Sequence, residues 1–128
     1  QDNYAVNVNM LLFARWLETR QLLLDLPAAL GCISAWDKHY VQMLRQLRRQ
    51  MKAEFAGSLA QVEEVRDQIK RAELQAERQE LIWLEQLANT WPGTTGVAAG
   101  ENVHAYLSYL QLPAEVIAHA VASLTVAA

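Results

Sequence analysis

Residues 33–88 decide the fold, and they read ISAWDKHYVQMLRQLRRQMKAEFAGSLAQVEEVRDQIKRAELQAERQELIWLEQLA. In the first half of this stretch, apolar residues recur every three or four positions: Ile33, Trp36, Tyr40, Leu44, Leu47, Met51 and Phe55. In the second half, a seam with alternating spacings of three and four is formed by Val62, Val65, Ile69, Ala72, Ala76, Gln79 and Trp83. Both series predict long amphipathic helices, the second with a heptad-like seam.

The segment between the two series has the residues of a helix–helix boundary. Gly57 suits the left-handed C-terminal cap of a helix, and Ser58 followed by Gln61 has the spacing of a capping box. We therefore expect one helix over about 27–55 and a second over about 59–88. Because so short a segment joins them, the two helices should form an antiparallel hairpin.

Helices are also predicted on both sides of the hairpin. Over about residues 5–20, four apolar residues recur at helical spacing: Val6, Met10, Phe13 and Leu17. Further apolar residues on its other sides predict that this first helix is buried all round. No strand-like alternation competes, so we expect an all-α fold: a long antiparallel hairpin packed with a buried N-terminal helix and two short C-terminal helices. We expect a single helical domain over 1–128, with a three-helix core over 1–88, a linker over 89–101 and the two short helices over 102–128.

The composition narrows the class of protein. The chain has 128 residues, 52% of them hydrophobic and 20% charged, which is typical of one folded domain. Its net charge of −3 argues against nucleic acid as the main partner. The single cysteine, Cys32, excludes an intrachain disulfide and favours a cytoplasmic location, and we expect it to be a buried apolar residue rather than a nucleophile. No stretch of about 20 mostly apolar residues predicts a membrane span.

A basic stripe follows one side of the first hairpin helix, and it consists of Arg45, Arg48, Arg49 and Lys52. The stripe could bind phosphate or an acidic partner. It could instead face the second hairpin helix, because residues 36–55 carry five basic and two acidic residues, whereas residues 58–88 carry four basic and seven acidic residues. In a hairpin that closes at Gly57, Lys52 would lie near Glu63, and Arg48 or Arg49 would lie near Asp67.

A second candidate site combines polar residues of the first helix with polar residues of the second: Asn7, Asn9, Arg15, Asp37 and His39. It could be a buried structural tie, with Arg15 paired to Asp37, or a polar pocket for a small molecule. The sequence points to no catalytic residue. The three histidines are far apart and lack the helical spacing of metal ligands, and no glycine-rich phosphate loop occurs. We therefore expect no metal and no cofactor.

Several motifs occur in a recognisable order. Residues 1–13 read QDNYAVNVNMLLF, close to Q-D-x-x-G-x-[DN]-V-N-L-L-L, and are followed by W-D at 36–37, L-R-x-L-R-R at 44–49 and K-x-A-E-L-x-A-E at 70–77. In this order and spacing, the chain resembles a small proteobacterial family of all-helical proteins that is known only as a domain of unknown function. The resemblance covers about residues 1–88 and brings no activity and no catalytic residues with it.

The chain departs from this pattern at two positions. Ala5 stands where the pattern has glycine, and Met43 stands where proline is expected, so the first hairpin helix should be straighter than in such relatives. The resemblance also implies a further helix upstream of Gln1. Without that helix, an apolar face of the first helix would be bare.

These observations favour a non-enzymatic protein-interaction or scaffold module that self-associates as a homodimer or binds a protein partner. The long seam and the expected exposure of Trp91 in the linker support this interpretation. The alternative is a small-molecule-binding regulatory protein that uses the polar pocket near Asn9, Arg15, Asp37 and His39. The chain is more readily explained as a binding protein than as an enzyme.

Overall fold

A computed structural model describes residues 6–93 and 96–126, and its regular structure is entirely helical over these residues. The all-α prediction is therefore confirmed. The helices in chain order are α1 (Val8–Thr19), α2 (Leu26–Trp36), α3 (Gln42–Glu54), α4 (Glu63–Ala88), α5 (Glu101–Tyr109) and α6 (Ala114–Val126). A π turn (Asp37–Val41) joins α2 to α3, and a 3₁₀ turn (Leu59–Gln61) precedes α4.

The chain divides into two compact units. The first unit comprises Gln1–Ala29 and Glu85–Ala128, and the second comprises Leu30–Leu84. In the first unit, α1 packs against α5, and α5 packs against α6. The second unit contains the π turn, α3 and most of α4.

Helix α1 buries one face and exposes the other. Met10, Phe13 and Leu17 are buried, as their spacing predicts. Val8 and Leu12, which lie one turn apart, are exposed, so the prediction of a helix buried all round is wrong. The apolar residues of α1 extend beyond the area that its neighbours in the described structure cover.

A buried carboxylate of α1 holds the beginning of α5. Glu18 accepts hydrogen bonds from the backbone N–H groups of Gly100 at 2.6 Å, Asn102 at 2.8 Å and Val103 at 3.1 Å. These N–H groups belong to the first turn of α5 and lack partners within the helix. A negative charge is also favourable there because of the helix dipole. Glu18 therefore joins α1 to α5 through the backbone of α5.

The predicted linker is attached to the first unit through side-chain contacts. Trp91 is half-buried and packs on Phe13 with ring centroids 5.9 Å apart, so the expected exposure of Trp91 is wrong. Gln21 accepts a hydrogen bond from the Val97 N–H at 3.0 Å and donates to the Val97 carbonyl at 2.9 Å. Gly100 ends the segment at φ +90°, where L side chains are strained.

The boundary between α3 and α4 differs from its prediction. Among the described glycines, the positive φ angles belong to Gly96 and Gly100 and not to Gly57. The Ser58 side chain makes no capping hydrogen bond, so the predicted capping box is absent. The backbone instead makes a 3₁₀ turn in which the Gln61 N–H donates to the Ser58 carbonyl at 3.0 Å. Helix α4 consequently begins at Glu63, four residues later than expected.

The long helix predicted over 27–55 is interrupted by the π turn. The Gln42 N–H donates to the Asp37 carbonyl five residues earlier, one residue more than in an α-helix. The turn ends at Val41, two residues before Met43. That the helix is straighter than in relatives with proline at this position stays a prediction. On the N-terminal side of the turn, the Trp36 indole N–H donates to the Ala76 carbonyl at 2.9 Å.

Candidate interaction surface

Two arginines of α3 hold two glutamates of α4. Arg45 Nε lies 3.0 Å from a Glu73 oxygen, and Arg45 Nη2 lies 2.6 Å from Glu77. Arg48 binds both oxygens of Glu73, at 2.9 and 3.3 Å. The later arginine binds the earlier glutamate and the earlier arginine reaches the later one, so the two helices run antiparallel. In addition, Arg66 Nε donates to the Arg48 carbonyl at 3.4 Å.

Glu73 is the centre of this cluster. Its side chain is almost completely buried, with 5% of the residue exposed. Burial alone would raise the pKa of Glu73, but the hydrogen bonds and charges of Arg48 and Arg45 outweigh burial and lower it. Burial would lower the pKa of Arg45, but its hydrogen bond to Glu73 and the nearby carboxylates raise it instead. Both partners therefore stay charged in the folded protein at neutral pH.

The cluster contains half of the predicted basic stripe. Arg45 and Arg48 face α4, whereas Arg49 and Lys52 are exposed. The partner of Arg48 is Glu73 and not the predicted Asp67, which lies six residues earlier. The reason is geometric, because long side chains lean toward the N-terminus of their own helix. In an antiparallel pair, this carries an arginine of α3 toward the C-terminal part of α4.

The buried side of α4 differs from the predicted seam at Val65 and Ala72. Five seam residues are buried or half-buried: Val62, Ile69, Ala76, Gln79 and Trp83. Val65 and Ala72 are exposed, and the residues one position later turn inward in their place, Arg66 half-buried and Glu73 buried. Glu80, next to Gln79, is buried as well. Helix α4 thus turns charged side chains inward at two positions where apolar residues were expected.

Helix α3 shows the same displacement of one residue. Leu44 and Met51 are half-buried as seam residues. Between them, Arg48 is half-buried and Leu47 is exposed. No residue of α3 is fully buried. The Arg48–Glu73 ion pair therefore occupies the position that the sequence pattern predicts for Leu47 and Ala72.

The displaced apolar residues are Leu47, Val65 and Ala72. Together with Met43, which lies one turn before Leu47, they form a surface that we call the outer seam. Met43 is 56% exposed, Leu47 46% and Val65 54%, and Ala72 is exposed as well. On each helix these residues lie beside the half-buried seam residues, which are Leu44 and Met51 on α3 and Ile69 on α4, and not beside the ion pairs. Because the helices are antiparallel, both sets lie on the same side of the hairpin.

Uncharged amide side chains border the outer seam on both helices. On α3 these are Gln46 and Gln50, spaced four residues apart, and before and along α4 they are Gln61, Gln68 and Gln75, spaced seven apart. All five are exposed. Glu54 interrupts the border on α3, and the Gln50 amide donates to its carboxylate at 2.7 Å. The outer seam is therefore an apolar surface with a mostly neutral, hydrogen-bonding border, which we call the amide border.

The residues of the predicted polar pocket lie in two different units. Asn7 caps α1 through its side-chain oxygen, which accepts from the Met10 N–H at 3.2 Å, and Asn9 is half-buried on the same helix. Arg15 forms an ion pair with Glu18 at 3.3 Å. In the second unit, Asp37 and His39 lie on the π turn, where Asp37 accepts a hydrogen bond from the Gln42 amide at 3.1 Å. The pocket therefore stays a prediction.

A shallow groove lies between α5 and α6 in the first unit. Its volume is about 350 Å³, and it is lined by His104, Ser108, Leu112, Ala114, Ile117 and Ala118. His104 and Ser108 lie one turn apart, with 3.3 Å between Nδ1 and Oγ. No carboxylate hydrogen-bonds His104 in the described structure, so the pair lacks the third group that orients a catalytic histidine.

Three further observations concern chemistry. Cys32 is half-buried, and burial raises the pKa of its thiol, which disfavours the reactive thiolate. Over residues 6–93 and 96–126, no three His, Cys, Asp or Glu side chains converge in a way that could hold a metal ion. None of the helices described combines the length and the apolar character needed to cross a bilayer.

The sequence patterns did not identify three buried polar residues that join elements of the fold: Glu18, Glu73 and Asn102. The Asn102 side chain accepts from the Leu24 N–H at 2.9 Å and donates to the Leu22 carbonyl at 2.8 Å. Neither Glu18 nor Asn102 carries a pattern that identifies its partner, because the partners are backbone groups distant in sequence. Glu73 belongs to an acidic helix opposite a basic stripe, so charge pairing was predictable but its burial was not.

Residues 1–84 match the model of a family described as "Protein of unknown function (DUF2390)". The match covers α1–α3 and most of α4, and it confirms the resemblance to a family known only as a domain of unknown function. No curated protein and no solved structure matches the chain.

Proposed function

The chain belongs to the DUF2390 family, and we propose that it is a protein-interaction module that binds its partner through the outer seam of α3 and α4. The basis is the position of the Arg48–Glu73 ion pair. This pair joins α3 to α4, whereas Leu47 and Ala72, which precede its two members in the chain, are exposed.

Exposed apolar residues have meaning when they are contiguous and arranged on a regular surface. A single exposed leucine is common on any protein, and Leu74 is an example, since it is 55% exposed beside Lys70, Arg71 and Arg78. Leu47 differs because Met43 lies one turn away on the same face of α3. Side chains with helical spacing on a regular surface are suited to pack against a partner helix.

The composition of the border supports a protein partner over a charged ligand. Gln46 and Gln68 offer both donors and acceptors, as the rim of a protein interface does. The two arginines nearest α4 are already bound to carboxylates. The single cysteine of the chain supports a cytoplasmic setting for this interaction. A small-molecule pocket near Asn9, Arg15, Asp37 and His39 has no supporting observation of its own.

The test is site-specific photocrosslinking in cells. A photoreactive amino acid replaces Leu47 in one variant and Leu74 in a control variant, because both leucines are exposed on the same hairpin. We expect a discrete protein adduct from position 47 that is weak or absent from position 74. Equal adducts at both positions, or none at position 47, would contradict the proposed function.

A further inference from the structure

We infer that the partner of the outer seam is a second copy of this chain, joined by a two-fold axis so that the two hairpins form a four-helix arrangement. This inference rests on the proposed function and specifies its partner. In such an interface, the same surface of each copy meets its symmetry mate.

Part of the predicted seam is exposed on both helices of the hairpin. Each helix keeps one row of the predicted seam half-buried, with Leu44 and Met51 on α3 and Ile69 on α4. The other row, which includes Leu47 and Ala72, faces outward on both helices. A helix that packs against two neighbours needs a wider apolar side than a helix in a pair. Both helices have this width, so the hairpin has the pattern of half a four-helix bundle.

The amide border lacks the charges that would make two identical surfaces repel each other. In a two-fold interface the border of one copy meets the same border of the other copy, so a border with charges of one sign would face like charges and repel. The amide side chains of Gln46, Gln50, Gln68 and Gln75 avoid this repulsion. Each amide donates and accepts, so it can pair with another amide. The border therefore suits an identical surface and gives no preference to a strongly acidic or basic partner.

The outer seam and the amide border together are close in area to one side of a stable interface. The exposed parts of Met43, Leu47, Val65 and Ala72 offer roughly 300 Å² of apolar area, similar to the largest apolar patch of a typical monomer. Together with the amide border along both helices, the surface approaches the roughly 800 Å² per partner that a stable interface buries.

The first experiment measures the mass of the chain by light scattering over a range of concentrations. We expect a species of twice the monomer mass of 14.4 kDa. Leu47→Glu should raise the dimer dissociation constant by about 100-fold or more, because the change removes apolar contact and adds a charge twice in each dimer. The matched control is Leu74→Glu, which should leave the dissociation constant unchanged. A strict monomer at about 200 µM, or a dimer insensitive to Leu47→Glu, overturns the inference.

The second experiment uses the amide border. One variant carries Gln50→Lys with Gln68→Lys, and the other carries Gln50→Glu with Gln68→Glu. In a two-fold dimer, each variant alone should associate more weakly than the unchanged chain, and a mixture of the two should form a heterodimer that restores association. Equal association of the separate and mixed variants overturns the inference, since it places the border outside the interface.

Photocrosslinking at position 47 and light scattering together distinguish this inference from the proposed function. A photocrosslink from position 47 to a different protein, together with a monomer in light scattering, would overturn the second copy and leave the interaction module standing. A dimer that depends on Leu47, with a crosslink between two copies of the chain, supports both. If position 47 gives no specific crosslink and the chain is a strict monomer, both the proposed function and this inference are overturned.

Discussion

The glutamate at the centre of the hairpin can be neutralised with almost no change in size. In Glu73→Gln, Arg45 and Arg48 would face a neutral amide whose NH₂ group cannot accept their hydrogen bonds. Three hydrogen bonds end on the Glu73 carboxylate, at 2.9, 3.0 and 3.3 Å. Removing one partner of a buried, paired charge typically costs about 3–5 kcal/mol.

The expected loss is smaller than that limit for two structural reasons. The side chains of Arg45 and Arg48 are 27% and 23% exposed, so water can solvate them in part. Glu77 also stays within 2.6 Å of Arg45 and keeps that guanidinium paired. We therefore expect Glu73→Gln to lower the free energy of unfolding by about 2–3 kcal/mol.

Urea denaturation followed by circular dichroism and tryptophan fluorescence measures this loss, since Trp36 and Trp83 report on the same unit. The protein is held at low micromolar concentration so that association does not add to stability. The control is Glu77→Gln, which removes a more exposed carboxylate and should cost about 1 kcal/mol or less. A loss below about 0.5 kcal/mol in Glu73→Gln, or equal losses in both variants, would refute the central role of Glu73.

Three more predictions concern separate contacts. Because the pKa of Glu73 is lowered in the folded state, its contribution to stability should be present at neutral pH and be lost as the pH falls below about 4. Urea titrations at several pH values measure this loss, and Glu73→Gln should remove this part of the acid dependence. Glu18→Ala leaves three backbone N–H groups of α5 without their acceptor and should cost about 3 kcal/mol in thermal unfolding, with faster hydrogen exchange confined to the start of α5. Gly100→Ala should cost about 2 kcal/mol or more, because φ is +90° and the new Cβ would lie 2.6 Å from Val121 Cγ1, whereas the control Gly31→Ala in α2 has open space and should raise the melting temperature slightly.

Much of the fold could be predicted because it depends on local spacing. The buried face of α1 and the positions of α5 and α6 follow from apolar residues three or four apart. The boundary before α4 could not be predicted in the same way. Gly57 and Ser58 are compatible with several turns, and which turn forms depends on how the two helices pack rather than on the two residues themselves.

The orientation of the hairpin helices was the least predictable feature. Apolar spacing ranks Leu47 and Ala72 as interior residues and Arg48 and Glu73 as surface residues. The ion pair reverses this order because the Glu73 carboxylate receives hydrogen bonds from two guanidinium groups, which offset the cost of its burial, while both guanidinium groups keep part of their contact with water. A pattern of hydrophobicity does not account for this pairing. It nevertheless identifies three of the four outer-seam residues, Leu47, Val65 and Ala72, since it places them inside and they are left exposed.

The orientation of the seam can be tested most directly by the oxidation of the three native methionines. Met10 is fully buried in α1, Met51 is a half-buried seam residue of α3, and Met43 lies exposed on the outer seam. Mass spectrometry after brief peroxide treatment at low protein concentration should find the oxidation rates in the order Met43, Met51, Met10. If Met43 is oxidised as slowly as Met10 under these conditions, Met43 is covered, which contradicts an outer seam that is exposed to solvent.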